Sequence, residues 1–206
     1  MTKISMKYRD KARKRLLESA DVKKKVVQEC LESILTASQM IVDTFESGGK
    51  VMICGNGGSA ADSQHMAGEL VCMLNKAFER PGLPAIALST DTSILTAHAN
   101  DLGFEKIFKR QVDALGKAGD ILIGITTSGS SPNILAAINS AKAAKIRTIM
   151  LTGNSKKTKK LADVVLSVPS NNTQYIQESH IAIEHIICEI VEDHLFGAKK
   201  VRYGNK

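Results

Sequence analysis

The sequence predicts an α/β fold, with a doubly wound, five-stranded parallel sheet flanked by helices. Two observations predict it. Five short apolar runs lack the alternation of a half-exposed strand, as expected for strands that are buried on both faces. Longer stretches with helical spacing separate these runs, and such alternation is typical of parallel sheets. The predicted strands cover residues 50–54, 84–88, 120–125, 147–151 and 163–168.

A long first helix is predicted over residues 22–47, where Gly48 and Gly49 end it. Its apolar residues recur at helical spacing, and they are Val26, Val27, Leu31, Ile34, Leu35, Met40 and Ile41. A last helix is predicted over residues 173–196. The helices between the strands are predicted at 59–74, 91–115, 132–144 and 155–162.

The length of 206 residues suits one domain, which we place at residues 22–197. A basic extension over residues 1–21, itself predicted to be helical, precedes this domain, and a basic tail over 198–206 follows it. No apolar run has the roughly 18 residues of a membrane span. The N-terminus also lacks the apolar region of a signal peptide, so a cytoplasmic protein without a membrane partner is predicted.

The formal net charge of +7 arises mainly from Lys7 to Lys25 and from Lys156 to Lys160. A basic chain can bind nucleic acid or a small anionic substrate. The sequence has neither zinc-finger spacing nor interleaved aromatic and basic residues, so no nucleic-acid partner is predicted. The four cysteines form no CxxC pair, and buried free thiols are expected.

The first informative loop is Gly55-Asn56-Gly57-Gly58-Ser59, directly after the strand at 50–54. Its glycines permit positive φ and close ligand approach, and Ser59 can cap the following helix. The first N–H groups of a helix can bind an anion. The motif is neither GxGxxG nor a P-loop, and a simple tight turn is an equally good interpretation.

The second loop, "TTSGSSP" at 126–132, carries five hydroxyl groups within six positions after a buried strand. Pro132 suits the first turn of a helix. Hydroxyl and N–H groups together form an uncharged cradle for a phosphate dianion. Capping alone needs a single Ser or Thr, so the pattern favours phosphate binding.

His65 and Glu69 lie four residues apart on the helix that follows the glycine loop, so they share one face. Gln177 and His185 lie roughly 80° apart on the last helix, which is loosely compatible with one point of convergence. If the helices meet, these groups could hold Zn²⁺ or supply a general acid and base. A surface His–Glu pair is the alternative, and spacing alone does not exclude His180 or His194.

Four segments together resemble phosphoheptose isomerases of the sugar isomerase (SIS) superfamily. They are "GNGGSAADSQHMAGEL", "AHANDLGFEKIF", "TTSGSSPNIL" and "YIQESHIAIEHI". The resemblance covers roughly residues 22–196. It implies conversion of sedoheptulose 7-phosphate, a phosphorylated seven-carbon sugar, to D-glycero-D-manno-heptose 7-phosphate through a cis-enediol. It also implies the SIS fold, with terminal helices that pack in a homotetramer whose sites draw on more than one subunit.

The resemblance further implies roles for individual residues. The implied phosphate contacts are Ser59, Thr126, Thr127, Ser128 and Ser131. The implied sugar contacts are Asn56, Gly57 and Gly58 in the turn, with Asn100 and Asp101 as a further pair. The implied ligands of one Zn²⁺ per site are His65, Glu69, Gln177 and His185, of which the first three also count as substrate contacts. The implied catalytic acid–base pair is Glu69 and His185.

Two departures and two alternatives stand beside this resemblance. Gln174 and Met73 occupy positions where some relatives have an acidic residue and an arginine, which bears on sugar stereospecificity. Replication initiator-associating proteins share the fold and bind a DnaA-type initiator without catalysis, but they lack the equivalents of Glu69 and His185. An isomerase of another sugar phosphate is the second alternative.

Overall fold

The computed structural model describes residues 6–75, 79–154, 158 and 160–197. In these residues one sheet has five parallel strands in the order β2-β1-β3-β4-β5, which confirms the predicted fold class. The strands are β1 (Val51–Gly55), β2 (Ala85–Ala87), β3 (Ile121–Thr126), β4 (Arg147–Thr152) and β5 (Val164–Ser167).

The central strands are apolar on both faces, as the sequence predicts. Ile53 and Ile123 belong to one core cluster, which α1, α2 and α6 complete. Met52 and Leu122, the adjacent residues, belong to a second cluster with α4 and α5. Because successive side chains of a strand point to opposite faces, a sheet between two helical layers requires apolar residues at every position.

Within the described residues there are six α-helices and one 3₁₀ turn. The helices are α1 (Met6–Glu46), α2 (Gly58–Val71), α3 (Thr92–Leu102), α4 (Ile107–Leu115), α5 (Pro132–Ala143) and α6 (Thr173–Phe196). The bounds of α6 agree with the prediction. None of these helices is long and apolar enough to cross a lipid bilayer.

Two predicted helices need correction. The single helix expected over 91–115 is wrong, because Gly103 has a φ of +90° and a 3₁₀ turn, Phe104–Lys106, then separates α3 from α4. A left-handed glycine ends a helix at little cost. Of the helix expected over 155–162, residues 158 and 160–162 form turns and bends, and the remainder lies outside the described residues.

Helix α1 runs without interruption through position 22, so the proposed N-terminal extension and the domain share one helix. The basic tail at 198–206 lies outside the described residues. One stripe of α1, with Val26, Ile34 and Ile41, is buried against the domain. Another stripe is exposed, with Val27, Leu31 and Leu35 at 62%, 46% and 45% exposure.

The strand order positions the two informative loops at one place. β1 connects outward to β2, whereas β3 connects to β4 on the other side of the sheet. The chain therefore changes direction between the carboxyl ends of β1 and β3, and ligands of open α/β sheets bind at such a switch point. The glycine loop follows β1 and the hydroxyl loop follows β3.

Candidate active site

The glycine loop brings the backbone close to α6. Gly57 is the N-cap residue of α2 and has a φ of +56°, which only glycine adopts readily. Ser59 therefore lies inside the first turn instead of capping the helix, and its backbone N–H donates to the Asn56 carbonyl at 3.0 Å. A Cβ atom on Gly58 would overlap the side-chain amide of Gln177. The loop thus needs glycine at position 57 for its backbone conformation, and a larger residue at position 58 would displace the Gln177 side chain.

The hydroxyl loop, Thr126 to Ser131, forms a compact polar turn at the N-terminus of α5. The Thr126 and Ser131 hydroxyls lie 2.8 Å apart, and the backbone N–H of Ser130 donates to the Ser128 hydroxyl. An adjoining cavity of about 230 Å³ is lined by Thr127, Ser128, Asn154, Ser170, Asn171, Thr173 and Ile176. Polar donors at a helix N-terminus beside a cavity of this kind suit a phosphate group.

The sequence reasoning missed the residue that joins the two loops. Asn56 in the glycine loop and Asn133 in the first turn of α5 exchange two amide hydrogen bonds of 2.9 and 2.8 Å. Asn133 is 2% exposed. An asparagine directly after Pro132, next to the predicted phosphate loop, was the available signal.

Replacement of Asn133 by Ala is expected to raise the KM for a sugar phosphate several-fold, because the two loops would lose their mutual hydrogen bonds. The free energy of unfolding should also fall, by about 1 kcal/mol, because the half-buried Asn56 amide is left without its partner. Steady-state kinetics and urea unfolding measure the two effects.

Gln111→Ala is the matched control for this prediction. The Gln111 amide is also buried, and it donates to the Leu88 and Ile107 carbonyls away from both loops. This control should lose stability but keep its KM. An unchanged KM in Asn133→Ala would show that the amide pair does not organise the substrate site.

The structure brings His65, Glu69 and His185 together. The Nε2 atoms of the two imidazoles lie 2.7 Å apart, so one of them donates to the other. A carboxylate oxygen of Glu69 lies 3.5 Å from His65 Nε2. One ligand atom from each residue lies within 4.8 Å of the others, and all three side chains are half-buried.

The packing of α2 against α6 produces this convergence. Gln177 meets Gly58 at the beginning of α2, and His185 meets His65 two turns farther along both helices. The two helices therefore run in the same direction where they touch. Gln177 lies beside the glycine loop, and its assignment as a fourth metal ligand stays a prediction.

The three donor groups fit a divalent metal ion. Zn²⁺ binds imidazole nitrogen at about 2.0–2.1 Å, which separates two tetrahedral nitrogen ligands by about 3.3 Å. The observed separation of 2.7 Å between the Nε2 atoms is slightly smaller, and a modest side-chain rotation would admit the ion. Two imidazoles with one carboxylate form a ligand set that zinc commonly takes.

The other histidines of α6 are excluded from this cluster. His180 is fully buried, and its Nε2 atom lies 3.2 Å from the Thr152 carbonyl. Burial lowers the pKa of His180 to about 4, so it is a neutral core histidine. His194 is exposed in the last turn of α6. The structure thus selects His185, which spacing alone could not do.

Two further acidic residues lie near the cluster and were not predicted. Glu184 is 1% exposed, and both of its carboxyl oxygens lack a hydrogen-bond partner, as does Oδ2 of Asp62. Burial, with the Asp62 carboxylate as a smaller cause, raises the pKa of Glu184 to about 8. Glu184 is therefore protonated at neutral pH in the folded protein.

Glu184→Gln is expected to stabilise the protein at pH 8. In the unfolded chain Glu184 ionises above its ordinary pKa of 4.5, whereas the folded protein holds the proton up to about pH 8. Folding stability should therefore fall by about 1.4 kcal/mol per pH unit across this window, and glutamine removes that loss. Urea unfolding of chelator-treated protein between pH 5 and 8 tests it, with the exposed Glu189→Gln as control. Parallel pH profiles for wild type and Glu184→Gln would contradict the assignment.

Asn100 and Asp101 lie in the last turn of α3, where both are exposed and the Asn100 amide donates to the Asp101 carboxylate at 2.9 Å. They are thus presented to solvent in this chain. Their assignment as substrate contacts stays a prediction.

The five-stranded parallel sheet, with the glycine loop and the hydroxyl loop at its switch point, defines a protein of the sugar isomerase (SIS) domain class. The SIS domain family matches residues 16–153. The phosphoheptose isomerase of Roseiflexus sp. (strain RS-1) is 50% identical over 179 residues, which are 86% of this chain and 90% of that protein. That of Burkholderia pseudomallei (strain 1710b) is 53% identical over 171 residues, which are 81% and 86% of the two chains.

Solved structures agree with these relatives. A phosphoheptose isomerase from Francisella tularensis superposes with a TM-score of 0.86 at 39% identity, over 94% of this chain and 100% of that chain. The enzyme from Neisseria gonorrhoeae gives a TM-score of 0.84 at 38% identity, over 90% and 99%. The chain therefore belongs to the phosphoheptose isomerase family, as its motifs predicted.

Proposed function

We propose that this protein converts sedoheptulose 7-phosphate to D-glycero-D-manno-heptose 7-phosphate through a cis-enediol, for the synthesis of heptose in bacterial surface polysaccharide. The observation that carries the proposal is the convergence of His65, Glu69 and His185 in a member of the phosphoheptose isomerase family. These residues supply a base and an imidazole close enough to act on neighbouring atoms of one sugar.

The phosphate end of the substrate binds at the hydroxyl loop and the N-terminus of α5. Thr126, Thr127, Ser128 and Ser131 supply hydroxyl donors there, with Ser59 across the switch point. His65 follows Gly58 by seven residues of α2, which is about 10 Å along a helix axis. A seven-carbon chain anchored by its phosphate spans such a distance, so C1 and C2 can reach the histidine cluster.

The reaction moves one proton between neighbouring carbons. The Glu69 carboxylate takes a proton from C1 of the ketose, while a ring N–H of His185 gives a proton to the oxygen on C2. The product of this step is the cis-enediol. Loss of the proton on O1 and delivery of a proton to C2 then give the aldose, so the atoms and charges balance. Each proton transfer of this kind contributes about 10²–10⁴-fold to the rate.

The proposed metal is one Zn²⁺ held by His65, Glu69 and His185, with Gln177 as a fourth ligand. When bound, it would polarise the substrate carbonyl and stabilise negative charge on oxygen. Glu69 carries two carboxylate oxygens, so one can face the metal while the other faces the substrate carbon. The half-buried position of the cluster leaves room for the sugar beside the ligands.

We further propose a homotetramer with sites completed by neighbouring subunits. The exposed stripe of Val27, Leu31 and Leu35 on α1 supports it, because apolar side chains in such a row are commonly covered by another chain. Ile186 continues this surface on α6 at 42% exposure. A cytoplasmic location and the lack of a nucleic-acid partner stay predictions, as do the effects of Gln174 and Met73.

A direct assay tests the proposed function. Purified protein with added Zn²⁺ should convert sedoheptulose 7-phosphate to an aldoheptose 7-phosphate, which NMR detects. In deuterated water the product should carry deuterium at C2, because the proton is exchanged at the base. Turnover of a different sugar phosphate instead of the heptose would favour the second alternative.

Binding to a DnaA-type initiator is the rival hypothesis. A binding protein has no need of the base and the imidazoles that this chain keeps at 69, 65 and 185. A pull-down with the initiator separates the two hypotheses. Strong binding without any isomerase activity would overturn the proposal.

A further inference from the structure

We propose that Arg80 and Glu192 are positioning residues, which hold α2 and α6 in the register that brings Glu69 to His185. This inference rests on the proposed isomerase function. It assigns a role to a buried ion pair that contacts the site through the backbone of Glu69 and not through the imidazole and carboxylate groups of the cluster.

The Arg80 guanidinium binds the C-terminal end of α2. Its Nη2 donates to the Glu69 carbonyl at 2.8 Å, and its Nη1 donates to the Leu70 carbonyl at 2.9 Å. These carbonyls belong to the last turn of the helix, where backbone acceptors lack partners within the helix. Arg80 therefore binds the backbone of the proposed base itself.

The same guanidinium is paired with α6. Arg80 Nε donates to a carboxylate oxygen of Glu192 at 2.7 Å, and the two side chains are only 1% and 3% exposed. Glu192 also accepts the backbone N–H groups of Leu74 and Asn75, each at 3.0 Å. One carboxylate on α6 thus holds both the arginine and the chain that leaves α2.

The position of this ion pair along the helices gives it a functional consequence. Glu192 lies seven residues after His185 on α6, which is two turns away. Each helix supplies part of the candidate site, and Arg80 joins the two helices just beyond it. A sliding or rotation of α2 against α6 would have to break either the bond from Arg80 to Glu192 or its two bonds to the helix carbonyls of Glu69 and Leu70. A displacement of about 1 Å can reduce turnover about 10²-fold.

Two variants separate positioning from simple stability. Arg80→Lys keeps the charge next to Glu192 but cannot reach both helix carbonyls with a planar fork. The double variant Arg80→Leu with Glu192→Leu removes both charges, so that no unpaired charge stays buried and the protein can fold. The full-length protein is used in every case.

We expect the kcat of the double variant to fall about 10–100-fold with less than a threefold change in KM, and its affinity for Zn²⁺ to fall about 10-fold. The kcat and the Zn²⁺ affinity of Arg80→Lys should lie between those of the double variant and wild type. The control is Lys50→Met, which removes a partly buried ion pair with Asp120 near the opposite end of the sheet. The control should lower the unfolding midpoint without changing kcat.

A crystal structure of the double variant gives a readout that is independent of activity. We expect the distance between the Nε2 atoms of His65 and His185 in that variant to differ from the distance in wild-type crystals of the same metal content. An unchanged cluster geometry, or an unchanged kcat in folded protein, would overturn the positioning role. Failure of wild-type protein to isomerise the heptose would instead refute the proposed function, while the altered or unaltered geometry would still decide this inference.

Discussion

Replacement of Glu69 by Gln is expected to lower kcat by about 10²–10⁴-fold, because the amide cannot take a proton from carbon. Glutamine has nearly the same shape, and the side chain is 22% exposed, so the fold should persist. KM should change little, since most of the proposed phosphate contacts are in the hydroxyl loop and not beside Glu69. Steady-state kinetics with the heptose phosphate, together with circular dichroism, measures both quantities.

The control for Glu69→Gln is Glu189→Gln, which removes an exposed carboxylate from α6 one turn beyond His185. This variant should retain wild-type turnover. Metal content needs to be measured in both, because Glu69 is also a proposed ligand. Full activity in Glu69→Gln would remove the residue from the catalytic machinery.

Much of the sheet could be predicted because its residues are buried on both faces. The residues from Val51 to Cys54 are 0% exposed, as are Ile121, Leu122, Ile123 and Ile125. A strand that is buried on both faces must be apolar at successive positions, so its sequence pattern is distinctive. The wrong helix prediction occurred where the backbone conformation of a single residue decides the structure. Gly103 divides a continuous apolar pattern into two helices, and a left-handed φ cannot be read from periodicity.

The candidate site shows a different limit of sequence reasoning. The spacing of His65 and Glu69 fixed only that they share a face of α2. Their meeting with His185 depends on how α2 lies along α6, which is a long-range packing property. The resemblance to a family supplied that information, whereas the residues by themselves left His180 and His194 open.

Residues that act through packing were the hardest to find. Asn133, Arg80 and Glu192 stand in no recognised spacing, and their partners are distant in sequence. Arg80 and Glu192 are separated by 112 positions, yet their side chains form a buried pair. Buried polar groups need partners, so a lone arginine or glutamate in an apolar stretch indicates that a partner exists. It does not indicate which residue that partner is.

His185→Gln is expected to abolish most turnover, and comparison with His65→Gln distinguishes its two proposed roles. Both variants remove one imidazole ligand, so both should weaken Zn²⁺ binding by at least the about 10–100-fold that loss of an outer-shell partner costs. Saturating Zn²⁺ should restore much of the activity of His65→Gln. It should not restore His185→Gln, because glutamine cannot donate and accept the proton that moves at the sugar oxygens.

The double variant Glu69→Gln with His185→Gln sharpens this test. Residues that act as a unit in one chemical step are strongly non-additive, so the double variant should lose little more activity than the worse single variant. If Zn²⁺ restores the activity of His65→Gln and His185→Gln equally, His185 acts only as a metal ligand and not in proton transfer. Additive losses would mean that the carboxylate and the imidazole act in separate steps, although they lie within 4.8 Å of each other. The rescue by Zn²⁺ and the non-additivity of the two substitutions together test whether Glu69 and His185, which are close in the fold, also act together in the reaction.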